Sequence, residues 1–159
     1  MNPEIIGFDF EGKAKLYNFR FAKELKPEDR VGVDQYKHTR LTISPRYQAR
    51  EVYNGEPYGF SADSYSFSLL LWQILKLEVP YRSRDDTRPR WAEVYKQQLR
   101  PMIDSSWPRQ LEMLMHACWE EKPSYRIDFS MICRTLERYF TSRGYTLRNG
   151  SWRIMDLLN

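Results

Sequence analysis

A run of apolar residues in the middle of the chain constrains the fold more than any other feature. Seven of the nine residues from Leu69 to Leu77 are apolar, and they fall on every face of a helix. Ser61 is a suitable N-cap for this helix, which we expect to continue to about Glu78. A helix that is apolar on all sides has to be buried on all sides, so it should form the centre of the domain. The run is too short to span a bilayer.

Shorter patterns on both sides of this helix predict the elements that pack around it. Period-two alternation predicts a β-hairpin over residues 6–16, and scattered proline and charge predict a long irregular connection over residues 21–46. Helical spacing predicts further helices over residues 89–99, 108–118 and 129–140. Asn149-Gly150 predicts a terminal hairpin that pairs Tyr145 and Leu147 with Trp152 and Ile154. We therefore divide the chain into a domain over residues 1–140 and a tail over residues 141–159.

Composition narrows the classes of function. Hydrophobic residues make up 42% of the 159 residues, which excludes a disordered chain, and 25 basic against 21 acidic residues do not favour nucleic-acid binding. The two cysteines and two histidines lack metal-ligand spacing, and Cys118 and Cys133 lie on apolar stripes, so we expect reduced core cysteines. No signal peptide is recognisable at the N-terminus. We expect a cytoplasmic protein that does not interact with membranes.

A series of motifs identifies a family resemblance. They are NPEI at residues 2–5, KLYNFR at 15–20, SPRYQAREV at 44–52, SADSYSF at 61–67, and CW with a following proline and arginine at 118–126. Their order and spacing resemble the C-terminal lobe of a eukaryotic protein kinase of the serine/threonine or tyrosine-kinase-like type. The corresponding family motifs are H-R-D-L-K-P-E-N, K-L-x-D-F-G, S-P-R-Y-M-A-P-E-V, S-A-D-V-Y-S-F and C-W-x-x-x-P-x-x-R.

The resemblance implies a mainly α fold. The expected structure is a protein-kinase-like C-lobe with a short β-hairpin at its N-terminus and a long loop similar to an activation segment. The resemblance also implies that Glu51 pairs with Arg126, which would tie that loop to the last helices. Asp63 would accept hydrogen bonds from the catalytic loop. These three residues are the predicted structural residues of the site.

The same resemblance implies that the positions for ATP and magnesium are degenerate. Asn18 replaces the metal-binding aspartate of D-F-G, and a neutral amide is a weaker magnesium ligand than a carboxylate. Ile5 stands at the second metal position, where a hydrocarbon offers no ligand. Asn2 replaces the catalytic-loop lysine, and Arg20 replaces the D-F-G glycine. We therefore predict no catalytic, cofactor-binding or metal-binding residue, and no cofactor.

The 159 residues contain no glycine-rich loop, phosphate-binding lysine or H-R-D segment. Together with the substitutions, this predicts a truncated, catalytically inactive, pseudokinase-like lobe, which is not an enzyme and acts as a protein-binding or scaffold module. The arginine-bearing loop over residues 82–90 is one candidate surface for a protein partner. Exposed apolar surface would allow self-association. Candidate phosphorylation sites are Thr39, Thr42 and Ser44.

An alternative reading remains open on the same residues. The chain would then be a fragment of a protein kinase that transfers phosphate from ATP to serine, threonine or tyrosine of proteins. Its N-terminal lobe and H-R-D segment would lie outside the 159 residues, and ATP and magnesium would be required. The sequence does not identify the partner, the ancestral specificity or the role of residues 144–159.

Overall fold

The computed structural model describes residues 1–38, 45–82, 90–148 and 151–154. The structure is mainly α, with small two-stranded sheets. Its elements in chain order are β1 (Ile6–Phe8), β2 (Ala14–Leu16), β3 (Arg30–Gly32), β4 (Gln35–Tyr36), α1 (Arg50–Asn54), α2 (Ser61–Lys76), α3 (Trp91–Lys96), α4 (Arg109–Cys118), α5 (Phe129–Thr141), β5 (Tyr145–Arg148) and β6 (Ser151–Ile154).

The long apolar helix lies at the centre of the packing, as predicted, but it is not buried on all sides, because Ile74 in its last turn is 66% exposed. Tyr65 and Leu69 of α2 are fully buried, and Trp72 is nearly so. They pack in one hydrophobic cluster with α4 and α5, in which Met115 and Ile132 are also buried. The helix ends at Lys76, two residues before the predicted end. It stops there because the backbone of Leu77 turns into the left-handed region (φ 57°) and its amide bonds to the Gln73 carbonyl.

The N-cap of α2 differs from the prediction. The helix begins at Ser61 itself, and Phe60, which occupies the N-cap position, has no side chain that could accept a hydrogen bond. The carboxylate of Asp34 accepts the amides of Phe60 and Ser61 instead, at 2.9 and 3.0 Å. The first amides of a helix lack a partner within the helix, and here a residue 26 positions earlier provides one.

The N-terminal hairpin forms where the alternation predicts it, but the expectation that one of its faces is buried is wrong, because Phe8, Ala14 and Leu16 are all exposed. β1 and β2 are antiparallel, with Ile6 opposite Leu16 and Phe8 opposite Ala14. The prediction of an irregular connection over residues 21–46 is wrong for residues 30–36, where β3 and β4 form a second small hairpin. Its strands have three and two residues, too few to show an alternating pattern in the sequence.

The terminal hairpin also has the predicted register, with Tyr145 opposite Ile154 and Leu147 opposite Trp152. It follows α5 directly, and the rings of Phe140 and Tyr145 lie 5.9 Å apart. The division between residues 1–140 and 141–159 stays a prediction.

One of the two cysteines differs from the prediction. Cys118 is fully buried in the core, and burial raises the pKa of its thiol to about 12. Cys133 is exposed, because α5 buries one stripe only and this residue lies outside that stripe. Both cysteines are free thiols.

The helix after the charged loop is shorter than predicted. It runs from Trp91 to Lys96, and Leu99 lies beyond its end. Pro89, the predicted first-turn residue, lies outside the described residues. Among the described residues, no helix is both long and apolar enough to cross a membrane.

The burial of α2 leads to a stability prediction. Leu69→Ala should lower the free energy of unfolding by about 2–5 kcal/mol, because it leaves a cavity among fully buried side chains. Ile74→Ala on the same helix is the matched control, since Ile74 is 66% exposed and should cost about 0.5 kcal/mol or less. Urea unfolding monitored by circular dichroism measures both. Equal losses for the two variants would contradict the central position of α2.

Candidate functional site

Three of the four substituted positions of the sequence lie around one cavity, which Arg20 does not line. It has a volume of about 320 Å³ and is lined by parts of residues 1–5, 16–25, 47–52 and 58–66. Asn2, Ile5 and Asn18 all contribute to its lining, and so does Asp63. The structure therefore brings together residues from the N-terminus, the end of the first hairpin, the loop before α1, and α2.

The start of the chain forms one side of this cavity. Asn2 precedes a short 3₁₀ turn, Pro3–Ile5, and β1 follows this turn directly. The side-chain oxygen of Asn2 is shielded from solvent, and no described residue donates a hydrogen bond to it. The carbonyl of Ile5 accepts the amide of Tyr17 at 3.0 Å, which holds the turn against the end of the hairpin. At this side of the cavity the chain offers a neutral amide and a hydrocarbon.

Asn18 lies at the tight turn that follows β2. Its backbone is left-handed (φ 57°, ψ 62°), a conformation in which asparagine is better tolerated than most residues. A 3₁₀ turn, Phe19–Phe21, follows immediately. Arg20 in this turn is exposed, and its guanidinium lies 4.4 Å from the ring centroid of Phe21. The cation therefore packs on a neighbouring ring.

The side chains at these positions do not fit a magnesium ion. Magnesium requires several oxygen ligands and prefers carboxylates. Asn18 offers one neutral oxygen and Ile5 offers none. Within the described ranges, no group of three or more histidine, cysteine, aspartate or glutamate side chains could hold a metal ion.

Asp63 links α2 to the first residue of the sequence. Its carboxylate accepts a hydrogen bond from the backbone nitrogen of Met1 at 3.0 Å. The resemblance implies that Asp63 accepts hydrogen bonds from the catalytic loop, and Met1 directly precedes the motif that corresponds to the end of that loop. The side chain of Asp63 is half-exposed, so water also reaches the carboxylate.

Glu51 and Arg126 form a buried ion pair beside the cavity. The two guanidinium nitrogens Nη1 and Nη2 donate to the two carboxylate oxygens at 2.5 and 3.1 Å. Arg126 also donates to the carbonyls of Glu120 and Ser61, at 2.8 and 3.2 Å. The guanidinium packs over the ring of Tyr65. Because the pair is bidentate and its remaining donors are occupied, it can stay charged in the core.

The segment that leads into α1 is anchored by side chains of α2 and α3. We call residues 45–52, which include the first three residues of α1, the closing segment. Ser66 donates to the carbonyl of Tyr47 at 2.7 Å, and the Tyr47 hydroxyl bonds to Gln73. The Tyr95 hydroxyl lies 2.6 Å from the carbonyl of Pro45. Burial raises the pKa of Tyr95 far above its usual range, so this hydroxyl remains protonated and can donate.

Some predicted site residues lie outside the described residues. These are Thr39, Thr42 and Ser44, together with most of the arginine-bearing loop, residues 83–89. Sequence reasoning missed Asp34, Ser66 and Tyr95, which hold the walls of the site. Their residue types alone gave no signal, because each acts on a segment that is distant in sequence.

Comparison with known proteins supports the family resemblance. The family model for protein tyrosine and serine/threonine kinase matches residues 9–136. The dual specificity protein kinase shkB of Dictyostelium discoideum is 30% identical over 135 residues, which cover 84% of this chain and 20% of that protein. Serine/threonine-protein kinase 12 of Arabidopsis thaliana is 29% identical over 160 residues, covering 99% and 33% of the two chains. The chain thus spans a third or less of the length of these relatives.

These matches contradict the prediction that the chain is not an enzyme, since the family and the names of the relatives point to a protein kinase. That prediction depended in part on missing segments. Segments missing from a chain that spans a third or less of its relatives carry no weight against activity. The substitutions at Asn18 and Ile5 bear on metal ligation alone.

The buried ion pair leads to a second stability prediction. Arg126→Leu should lower the free energy of unfolding by about 3–5 kcal/mol, because it leaves the carboxylate of Glu51 buried without its partner. The combined change Glu51→Leu and Arg126→Leu should recover part of this loss. Arg50→Ala is the control, since it breaks the half-exposed pair with Glu121 and should cost about 1 kcal/mol or less. Urea unfolding measures all three, and an Arg126→Leu loss no larger than the control's would be evidence against a structural role for the pair.

Proposed function

The chain belongs to the protein tyrosine and serine/threonine kinase family, and we propose that it forms the C-terminal lobe of an ATP-dependent protein phosphotransferase. Its substrates would be hydroxyl groups of serine, threonine or tyrosine in proteins. The parts of the reaction that require a glycine-rich loop, a phosphate-binding lysine and an H-R-D base would come from segments that are not among these 159 residues.

The observation that carries this proposal is the anchoring of the closing segment at the edge of the cavity. Tyr47, Gln48, Ala49 and Val52 of this segment line the cavity. Its backbone carbonyls are occupied by Ser66 and Tyr95, and Glu51 at its end is held by Arg126. Phosphoryl transfer depends on placing the acceptor hydroxyl, and an ordered segment can do this without covalent chemistry.

In this proposal the residues of the chain place the protein substrate. The closing segment provides one wall beside the acceptor, and Asp63 holds the residues that continue from the catalytic loop. ATP supplies the phosphoryl group. Since Asn18 and Ile5 do not fit a magnesium ion, we assign these two positions no part in charge neutralisation.

A second candidate function is protein binding, and exposed apolar side chains on the first hairpin support it. Phe8 and Phe10 are exposed, as are Leu16 and Phe19 at the other end of the hairpin. A set of exposed apolar side chains of this kind is typical of an interaction surface. We propose that a second copy of the chain covers this surface. We also propose that the protein acts in the cytoplasm.

Self-association has a direct test. Sedimentation equilibrium of the 159-residue chain should show a dimer whose population falls on dilution. Phe10→Ser should shift the equilibrium to the monomer, because it removes a large exposed apolar group from the proposed interface. Met102→Ser is the matched control, as Met102 is also exposed but lies outside the hairpin. A monomer at all concentrations would exclude a second copy of the chain as the partner of this surface.

The phosphotransferase function can be tested with a chimera. The segment of the Dictyostelium kinase shkB that ends at its catalytic-loop aspartate is joined to Met1 of this chain. We expect labelled phosphate to pass from ATP to casein. Asn18→Asp with Ile5→Asn should raise the rate at least about tenfold, because the first change replaces a neutral amide by a carboxylate and the second supplies an oxygen where Ile5 offers none.

The control is the same chimera with the supplied catalytic aspartate changed to asparagine, which should reduce transfer to background. A thermal unfolding scan establishes that each chimera is folded. No transfer by a folded chimera, even with both oxygen ligands restored, would overturn the proposed function. Transfer by the restored chimera alone would favour protein binding as the role of this lobe.

A further inference from the structure

The small hairpin β3–β4 holds one wall of the cavity from behind. The wall consists of residues 58–63, five of which line the cavity. Tyr36 of β4 pairs with Tyr58 through two backbone hydrogen bonds of 2.9 and 3.1 Å. Asp34, in the turn between the two strands, caps the helix that begins at Ser61. The hairpin therefore contacts the wall at Tyr58, the first residue of the wall, and again at the start of α2.

The contact between Asp34 and the wall is closely fitted. Each carboxylate oxygen of Asp34 accepts one amide, from Phe60 at 2.9 Å and from Ser61 at 3.0 Å. A β-carbon at Gly59 would overlap both the backbone oxygen and the carboxylate of Asp34, so only glycine leaves room for this approach. The backbone of Asp34 is left-handed (φ 48°), which aspartate tolerates better than most residues.

The position of Asp34 also connects two parts of the site. Its partner Ser61 accepts a hydrogen bond from Arg126 through the carbonyl, while its amide donates to Asp34. Arg126 in turn holds Glu51 of the closing segment. Asp63, which contacts Met1, follows two residues later on the same helix turn. The carboxylate of Asp34 thus orients the backbone of Ser61. This backbone leads through Arg126 to the closing segment and along the helix to Asp63.

We propose that Asp34 is a positioning residue of this site: it fixes the cavity wall, and through Ser61 it places Asp63 and the closing segment. This role deepens the proposed phosphotransferase function and rests on it for its meaning. Asp34 does not line the cavity itself, so it acts through the wall and not on a substrate. It is a cap from outside the helix, and its loss would loosen the first turn of α2 while leaving the buried remainder of that helix in place.

Hydrogen exchange on the 159-residue chain, followed by NMR, tests this role. Asp34→Gly keeps the left-handed backbone and removes the carboxylate. The amides of Phe60 and Ser61 should then exchange at least about tenfold faster, because hydrogen bonds to a charged acceptor are lost. Asp34→Asn also keeps the backbone and retains one acceptor oxygen, so its exchange rates should lie between those of the parent and of Asp34→Gly. The amide of Met115 in α4 should be unchanged in both variants.

Two further variants complete the test. Gly59→Ala places a β-carbon against Asp34 and so pushes the hairpin away from the wall. It should accelerate exchange of the amides of Phe60 and Ser61. Asp29→Asn removes a negative charge from the neighbouring turn, where Asp29 faces Lys37. It should change the exchange rates of the two amides by less than about twofold. Unchanged exchange at Phe60 and Ser61 in Asp34→Gly, or a uniform increase that includes Met115, would overturn the proposal.

The chimera described above adds a readout of function. Asp34→Gly should raise the KM for casein severalfold more than it lowers kcat, because the wall is loosened while the supplied catalytic groups are intact. A reduced kcat with unchanged KM would overturn the positioning role. Absence of transfer in the parent chimera would instead count against the phosphotransferase function, and the exchange rates would still report on Asp34 independently.

Discussion

The buried pair of Glu51 and Arg126 is the interaction on which the arrangement of the lobe depends. It joins residues 75 positions apart and lies in a core where an unpaired charge would be strongly unfavourable. The guanidinium also donates to the carbonyls of Ser61, Glu120 and Glu121. One side chain therefore fixes the closing segment, the start of α2 and the connection that leads into α5. Any movement of one of these three segments would leave a buried donor or acceptor unpaired.

This constraint explains how the site can be well ordered although the positions that correspond to metal ligands carry no charge. The cavity is held by charged and polar contacts from behind, namely the Glu51–Arg126 pair and the carboxylate of Asp34. At the family's catalytic positions, its interior presents the side chains of Asn2, Ile5 and Asn18. The charged groups of this site therefore hold the walls of the cavity in place. The positions that would bind a cation carry no charge.

Much of the fold could be predicted from the sequence, where periodicity is strong and local. The central position of α2 followed from its apolar run, the first hairpin followed from alternation, and the register of the last hairpin followed from its turn residues. Predictions failed where a feature is short or depends on a distant residue. The β3–β4 hairpin is too short to show a period, and the exposure of Cys133 depends on which stripe of α5 is covered.

The candidate site was predicted only in part. Family motifs pointed to Asn2, Ile5 and Asn18, because their neighbours in sequence are still recognisable. No local pattern marks Tyr95, which holds a carbonyl 50 residues earlier. The same is true of Asp34, because an aspartate in a polar turn can have many partners and the helix that it caps begins 27 residues further along the chain.

The sequence by itself determined the family, the central helix and the residue types at the degenerate positions. All three are local properties, expressed by neighbouring residues or by the spacing of short motifs. The tertiary structure decided that these positions share one cavity, that Asp34 and not Ser61 caps α2, and that the closing segment is held from two helices. The physical reason is that a backbone amide donates to, and a carbonyl accepts from, whichever partner the packed chain brings within about 3 Å. Proximity of this kind is set by the packing of the whole lobe.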